Sequence, residues 1–262
     1  MKLSATRAAL TADARSKQRY FYDEECNPEF EIARPYNCGR VYEFLIEHRF
    51  RTGVDLLSLE LEGRSVLEVC CGSGMMSQKF ALAGAMATGI DMSSAAIARA
   101  RERARRYHFA AHFLVGDAEN LAFADQSFDI VAVHDGLHHL DDPQRAVREM
   151  ARVAREGVLV LDPARAALTR LAMWLGVAKK TEEAGNEVKR LVAKQVAATL
   201  REEGYCRTSW RRTLMYYPHE PSGWLRRFDS NPLFATFRVS FSCANFAFGR
   251  WGNKLALAAR RR

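Results

Sequence analysis

Features that would settle a chemistry at once are missing from this sequence. The six cysteines, at 26, 38, 70, 71, 206 and 243, form no Cys-x-x-Cys pair and no Cys/His spacing suited to zinc. Reduced, buried thiols account for them, and no metal site is expected. A run of about 18 apolar residues is absent, and Met1 to Arg7 lacks the apolar core of a secretory signal, so a cytoplasmic protein without a transmembrane segment is expected. The first 18 residues are basic and acid-poor. That leaves mitochondrial targeting open, and the stretch is read as a helical arm. No internal repeat or low-complexity tract occurs. Acids are in the minority, with 39 Lys and Arg against 31 Asp and Glu, and bases cluster at Arg101–Arg106 and Arg260–Arg262. These clusters are not interleaved with aromatics as in an RNA-binding module, so they read as solvated helix faces and a tail, and no nucleic-acid partner is expected.

What is present fits one core with additions. A chain of 262 residues, 48% hydrophobic, suffices for one doubly wound sheet and is short for two full domains. Helical and extended patterns alternate as an α/β fold requires. Strands are expected near 65–70, 86–91, 111–117, 128–134, 157–162, 208–217 and 254–260. Val41, Phe44, Leu45 and His48 give a helical stripe before the first strand, and Val188, Val192, Val196 and Leu200 give another at 186–203, stopped by Gly204.

The densest signal is Ser65-Val-Leu-Glu-Val-Cys-Cys-Gly-Ser-Gly-Met-Met-Ser77, a buried strand bearing Glu68 that enters a Gly72-x-Gly74 turn and a helix start. Glycines there let the backbone approach a ligand closely, and the helix N–H groups suit an anion such as a carboxylate. Asp91-Met92 ends the next strand, where a carboxylate can accept two ribose hydroxyls, and Asp117-Ala118 ends the third. Acids at three successive strand ends are hard to explain by packing and point to an adenosine-containing cofactor.

With Gly89-Ile-Asp-Met-Ser93, Gly116-Asp-Ala-Glu-Asn-Leu-Ala-Phe123 and Ser127-Phe-Asp-Ile-Val131 in order, residues 60–165 resemble class I S-adenosylmethionine-dependent methyltransferases, most of all the small-molecule group that includes ubiquinone and menaquinone methyltransferases. The resemblance implies a Rossmann-like, seven-stranded sheet whose last strand, 254–260, is antiparallel. It also implies S-adenosyl-L-methionine as cofactor and S-adenosyl-L-homocysteine as product. The cofactor-binding positions it marks are Glu68 at the methionine end, Cys70, Gly72, Ser73 and Gly74 at the turn, Asp91 and Met92 at the ribose, and Asp117 and Ala118 at the adenine. His134 is added as a contact to the cofactor, and Tyr22 and Arg40 as residues folding over it. A nicotinamide dehydrogenase is the nearest rival, but its third glycine is replaced by Ser77.

Methyl transfer is an in-line displacement that needs alignment, exclusion of water and, for a hydroxyl or acidic carbon, a base. His134-Asp135-Gly-Leu-His-His139 follows the fourth strand, so His139, His134 and Asp135 are the catalytic candidates, with His138 behind them. Asp162 either orients the acceptor or caps its turn. No Asn-Pro-Pro-Tyr signature of amino-methylating nucleic-acid enzymes stands at the fourth strand, which favours O- or C-methylation of a small, apolar or aromatic acceptor. Methylation of RNA or protein, and a non-catalytic cofactor-binding subunit, are the alternatives. Residues 1–58 are expected to form an N-terminal helical arm or lid, and 59–262 the methyltransferase domain with inserts at 163–185 and 218–252. The second insert is rich in Phe and Trp, with His219 and Glu220 as further candidate contacts. It is expected to form a lid over the acceptor together with Tyr20-Phe21-Tyr22-Asp23; a peripheral membrane contact or a homodimer interface would use the same apolar surface.

Overall fold

Segments of five to ten residues, apolar except in the edge strand Arg207–Thr213, become a seven-stranded sheet. The computed structural model describes residues 16, 19–166, 190–215 and 223–261. Its strands are β1 (Ser65–Val69), β2 (Met86–Asp91), β3 (Ala111–Val115), β4 (Phe128–His134), β5 (Ala154–Pro163), β6 (Arg207–Thr213) and β7 (Lys254–Arg260), in the spatial order β3-β2-β1-β4-β5-β7-β6. Strands β1 to β5 are parallel, and β7 runs antiparallel to both neighbours. The order reverses between β1 and β4, which places a crevice at their carboxyl ends.

The principal helices are α1 (Pro28–Ala33), α2 (Arg40–Leu57), α3 (Met75–Leu82), α4 (Ser94–Arg106), α5 (Pro143–Val153), α6 (Ala193–Glu202) and α7 (Asn231–Phe248). Side chains that accept first-turn N–H groups set three of the starts: Asn27 for α1, Ser93 for α4 and Asp142, followed by Pro143, for α5. Strand alternation divides the core. Leu67, Val69, Val131, Val133, Val158 and Val160 meet α5 and α6 on one face. Val66, Ile130, Ala132, Leu159 and Leu161 meet Ile46, Phe50, Met76 and Phe80 of α2 and α3 on the other.

The expected fold class is present, with the last strand antiparallel. Three boundaries move. β3 ends at Val115 because Gly116 turns out of the sheet and Asp117 bridges to Asn120; β5 begins at Ala154; and β6 stops at Thr213, after which the Leu214 and Met215 N–H groups bond to the side chains of Asn245 and Asn253. Most of the first insert, residues 167–185, together with His219 and Glu220, lies outside the described residues. The described part of the second insert is α7 with a helical turn on each side. It packs Phe234, Phe237 and Phe241 around Phe44 of α2, and among the described residues it contributes nothing to the cleft described below.

One expectation about charge is corrected. Arg103, taken as part of a solvated cluster, is fully buried and donates to Gln78 Oε1 and to the carbonyls of Glu31 and Arg34. Its neighbours Arg105 and Arg106 do reach the surface, paired with Glu102 and Glu29.

Candidate functional site

A cleft opens across the ends of β1 to β4, lined by Cys70 and Gly72 after β1, Asp91 to Ser93 after β2, Gly116 to Ala118 after β3, and Asp135, Gly136, His139 and Leu140 after β4, with Arg19 and Tyr22 of the N-terminal segment. The backbone is bent to make it. Cys70 and Asp135 both hold positive φ, 54° and 47°, in the left-handed region that only a constrained site maintains in residues with a side chain. Gly136 passes so close to Cys70 that a Cβ there would lie 2.5 Å from the cysteine Cβ. At Gly72, by contrast, a Cβ would meet nothing within 4 Å, so the turn borders open space.

Asp91 organises one side. One carboxylate oxygen accepts the Gly72 N–H at 2.9 Å and the other accepts the Ser93 N–H at 2.9 Å. Burial raises its pKa above the usual aspartate value, and those two backbone bonds partly counter the shift. A carboxylate offers about four lone-pair sites, so two remain for a ligand. Asp117 accepts the Glu119 N–H, and Glu119 in turn accepts the N–H groups of Asp141 and Asp142, fastening the third and fourth strand-end loops together. Burial lifts the thiols of Cys70 and Cys71 well above their ordinary pKa, so neither is a thiolate nucleophile at neutral pH.

The loop after β4 is clamped from beneath. Asp162, at the end of β5 and wholly buried, accepts the N–H groups of Gly136 and Leu137 and bonds His138 Nδ1 at 2.8 Å. Of its two expected roles it therefore performs the capping one. The His138 ring lies 3.9 Å from that of His139, which opens on the cleft. Asp135 meets Arg49 Nη1 at 2.7 Å and Lys254 Nζ at 3.2 Å. Although burial pushes its carboxyl up, Arg49 and then Lys254 hold it well below the ordinary aspartate range.

Of the residues expected to bind cofactor, Tyr22, Cys70, Gly72, Asp91, Met92, Asp117 and Ala118 line the cleft, and Glu68, Ser73, Gly74, His134 and Arg40 do not. Glu68 falls on the α2/α3 face of β1 by strand alternation and is hydrogen-bonded to the Ser77 hydroxyl. Ser73 donates to the Glu31 carbonyl, and Gly74 packs on Phe113. Arg40 is tied to the Asp229 carbonyl and Asn231 and stacks over Phe234, so it joins α2 to α7 and does not cover the cleft.

The catalytic trio is also revised. His139 and Asp135 are at the cleft. Asp135, however, is an ion-paired carboxylate of very low basicity, which suits structure and field and not proton abstraction. His134 is buried beside Asp135, and burial, the largest effect, lowers its pKa well below 6.5. The sequence reading missed Arg19, Ser93, Gly116, Gly136 and Leu140 in the lining and Arg49 and Lys254 beneath it. Arg49 had a signal: it interrupts the apolar α2 stripe of Tyr42, Leu45, Ile46 and Phe50, the place of a buried, paired cation. The N-terminal segment is latched above. Asp23 accepts from the Ser93 hydroxyl at 2.5 Å, and Arg99 donates to the Tyr22 carbonyl at 2.7 Å.

An open sheet with this strand order and a cleft at its reversal point defines a doubly wound α/β domain with a ligand crevice at its strand ends. Residues 67–161 match the family described as methyltransferase domain. The chain is 35% identical over 99 residues to the ubiquinone biosynthesis O-methyltransferase of Coxiella burnetii, covering 38% of this chain and 42% of that one. It is 34% identical over 134 residues to the demethylmenaquinone methyltransferase of Thermotoga maritima, covering 50% and 57%. The chain thus spans about half the length of the curated relatives it matches. Its fold is similar to that of magnesium protoporphyrin IX methyltransferase from Synechocystis solved with bound S-adenosylhomocysteine, with a TM-score of 0.61 over 95% of this chain and all of that one, at 16% identity. The likeness to a methyltransferase domain thus rests on residues 67–161, and the curated relatives that share this segment are methyltransferases. Among the described residues, no group of three His, Cys, Asp or Glu is disposed to hold a metal ion.

Proposed function

We propose that this chain methylates a small, apolar or aromatic acceptor at an oxygen or an acidic carbon, drawing the methyl group from S-adenosylmethionine. The observation that carries the reading is the convergence of Asp91, Asp117 and the open Gly72 turn on one cleft inside the matched segment. When bound, the cofactor supplies a methyl group activated by a positively charged sulfur. The residues fit such a group. Asp91 retains two lone-pair sites for ribose hydroxyls, and Asp117 and Ala118 line the cleft at the end of β3 and could receive an adenine amino group. Arg19 and Tyr22 line the cleft beside the latch that joins Tyr22 and Asp23 to α4 and its cap.

His139 is assigned as the base that accepts the acceptor's proton. It borders the cleft beside Leu140, while His138 behind it is committed to Asp162. The relatives named for ubiquinone and menaquinone biosynthesis favour a phenolic or quinol-like acceptor, whose hydroxyl or ring carbon needs such a base. Calorimetric titration with S-adenosylhomocysteine, followed by transfer of a labelled methyl group to a panel of catechols and hydroquinones, tests the proposal. Uptake of the product and labelling of an acceptor are expected. Folded protein that takes up neither donor nor product overturns it.

A further inference from the structure

Helix α7 is apolar on two opposite faces, and only one of them is covered by the described chain. At about 100° per residue, Phe234, Phe237 and Phe241 share the side that packs on α2. Pro232, Ala235, Val239, Cys243 and Phe246 fall on the far side and are all exposed, Val239 at 64% and Phe246 at 96%. Phe248 and Trp251, just beyond, are exposed as well. Arg238 is the single charged residue among the eighteen of the helix, and it lies with Asn231 and Asn245 on the flank between the two faces. A helix apolar all round is ordinarily buried on every side.

The charge around this helix selects what covers it. Residues 205–262 hold 11 Lys or Arg against two acids, Glu220 and Asp229, whereas residues 1–204 hold 28 against 29, so the whole positive excess of the chain lies at this end. Arg226 and Arg227 precede α7, and Arg250 follows it, stacked on Trp251; all three are exposed. Arg207 and Arg211 are exposed on the edge strand β6, whose continuation at Leu214 is hydrogen-bonded to Asn245 of α7. A second copy seated on the same face would bring two such basic regions together across a two-fold axis. The exposed stripe runs about 21 Å, from residue 232 to residue 246 at 1.5 Å per residue.

We infer that α7 is an interfacial helix that seats this protein on an anionic lipid bilayer, Phe246, Val239 and Ala235 entering the acyl boundary while Arg226, Arg227 and Arg250 meet phosphate headgroups. No helix among the described residues is long and apolar enough to cross a membrane, so the contact is peripheral. The inference is independent of the acceptor's identity.

Sedimentation of the full chain with phosphatidylcholine vesicles, with and without phosphatidylglycerol, tests it. Binding to the anionic vesicles is expected, falling steeply as salt is raised. Phe246→Asp and Val239→Asp should each reduce partitioning at least tenfold. Arg226→Ala with Arg227→Ala should reduce it roughly fivefold per charge removed. All three variants should keep the parent affinity for S-adenosylhomocysteine, which shows that they fold. Maleimide should label Cys243 rapidly in free protein and slowly once anionic vesicles are added. Absence of vesicle binding at low salt, or binding indifferent to Phe246→Asp, overturns the inference. So does a Cys243 already shielded in free protein, or a dimer that Phe246→Asp dissociates, since the chain itself or a second copy would then be the cover.

Discussion

Asp91→Ala is the perturbation whose outcome follows most directly from the geometry. The carboxylate accepts two backbone N–H groups at 2.9 Å, from Gly72 and Ser93, and its remaining lone pairs face the cleft. Truncation removes a charge-assisted contact to a ribose hydroxyl, about 1.5–3 kcal/mol, or roughly 10- to 150-fold in affinity. It also leaves the Ser93 N–H, at a buried residue, without its acceptor, a cost of about 1–3 kcal/mol. The stability change should be smaller than that figure, because the variant no longer carries a partly buried carboxylate whose ionisation burial opposes. Asp91→Asn keeps an oxygen but turns an amide toward one backbone donor, so its affinity should fall between those of the parent and Asp91→Ala. Calorimetric titration with S-adenosylhomocysteine, paired with thermal denaturation, separates the two effects. The raised pKa gives a further sign: affinity should begin to fall, as pH is lowered, at a less acid pH than an exposed aspartate would give. If Asp91→Ala binds within threefold of the parent, the ribose assignment and the cleft's role as cofactor site are refuted together.

Three other outcomes are expected. His139→Gln should lower turnover about 10²- to 10⁴-fold with cofactor affinity within a few-fold, read from single-turnover rates and titration; unchanged turnover removes the base assignment. Arg49→Leu should cost about 2–3 kcal/mol in denaturant unfolding, less than most broken buried pairs because Lys254 still faces Asp135, and adding Asp135→Asn should return part of it; strictly additive losses would dissolve the pair. Burial pushes Glu68 up to about 8 against the opposing bonds from Ser77, so the folded state holds a proton that the unfolded chain releases near the ordinary carboxylate pKa. Its contribution to stability is therefore present at acid pH and lost as pH rises toward about 8, and Glu68→Gln, which mimics the protonated acid, should flatten that decline in a melting series from pH 5 to 8; parallel curves would contradict it.

The sheet was legible because strands buried on both faces are continuous apolar runs, and β2, β4 and the antiparallel β7 stand where those runs are. The misplaced ends have local causes that no propensity carries, such as the Asn245 and Asn253 side chains that draw Leu214 and Met215 away from β6. Half of the site was legible for a related reason: Cys70, Asp91 and Asp117 lie at strand ends, and strand ends of this topology face one crevice. Glu68 lies only two residues before Cys70, but it stays inside the strand and bonds Ser77, whereas β1 ends at Val69 and Cys70, at positive φ, leaves the pleat for the cleft. Arg40 and Arg49 are set by partners far along the chain, Asp229 and Asp135, and no local pattern announces which partner a cation will find.

The loop from Asp135 to Asp142 shows why those distant partners matter for chemistry. Asp162 fixes Gly136, Leu137 and His138, Arg49 and Lys254 fix Asp135, and Glu119 fixes Asp141 and Asp142. His139 and Leu140 sit between these clamps at the lip of the cleft. A base on a free loop would lose conformational entropy each time it met an acceptor, about 1–2 kcal/mol per ordered residue; here the fold has already met that cost. Asp135 and Asp162, which the sequence offers as chemistry, are held in ion pairs and hydrogen bonds as scaffold, and on the proposed reading the proton goes to His139 between them.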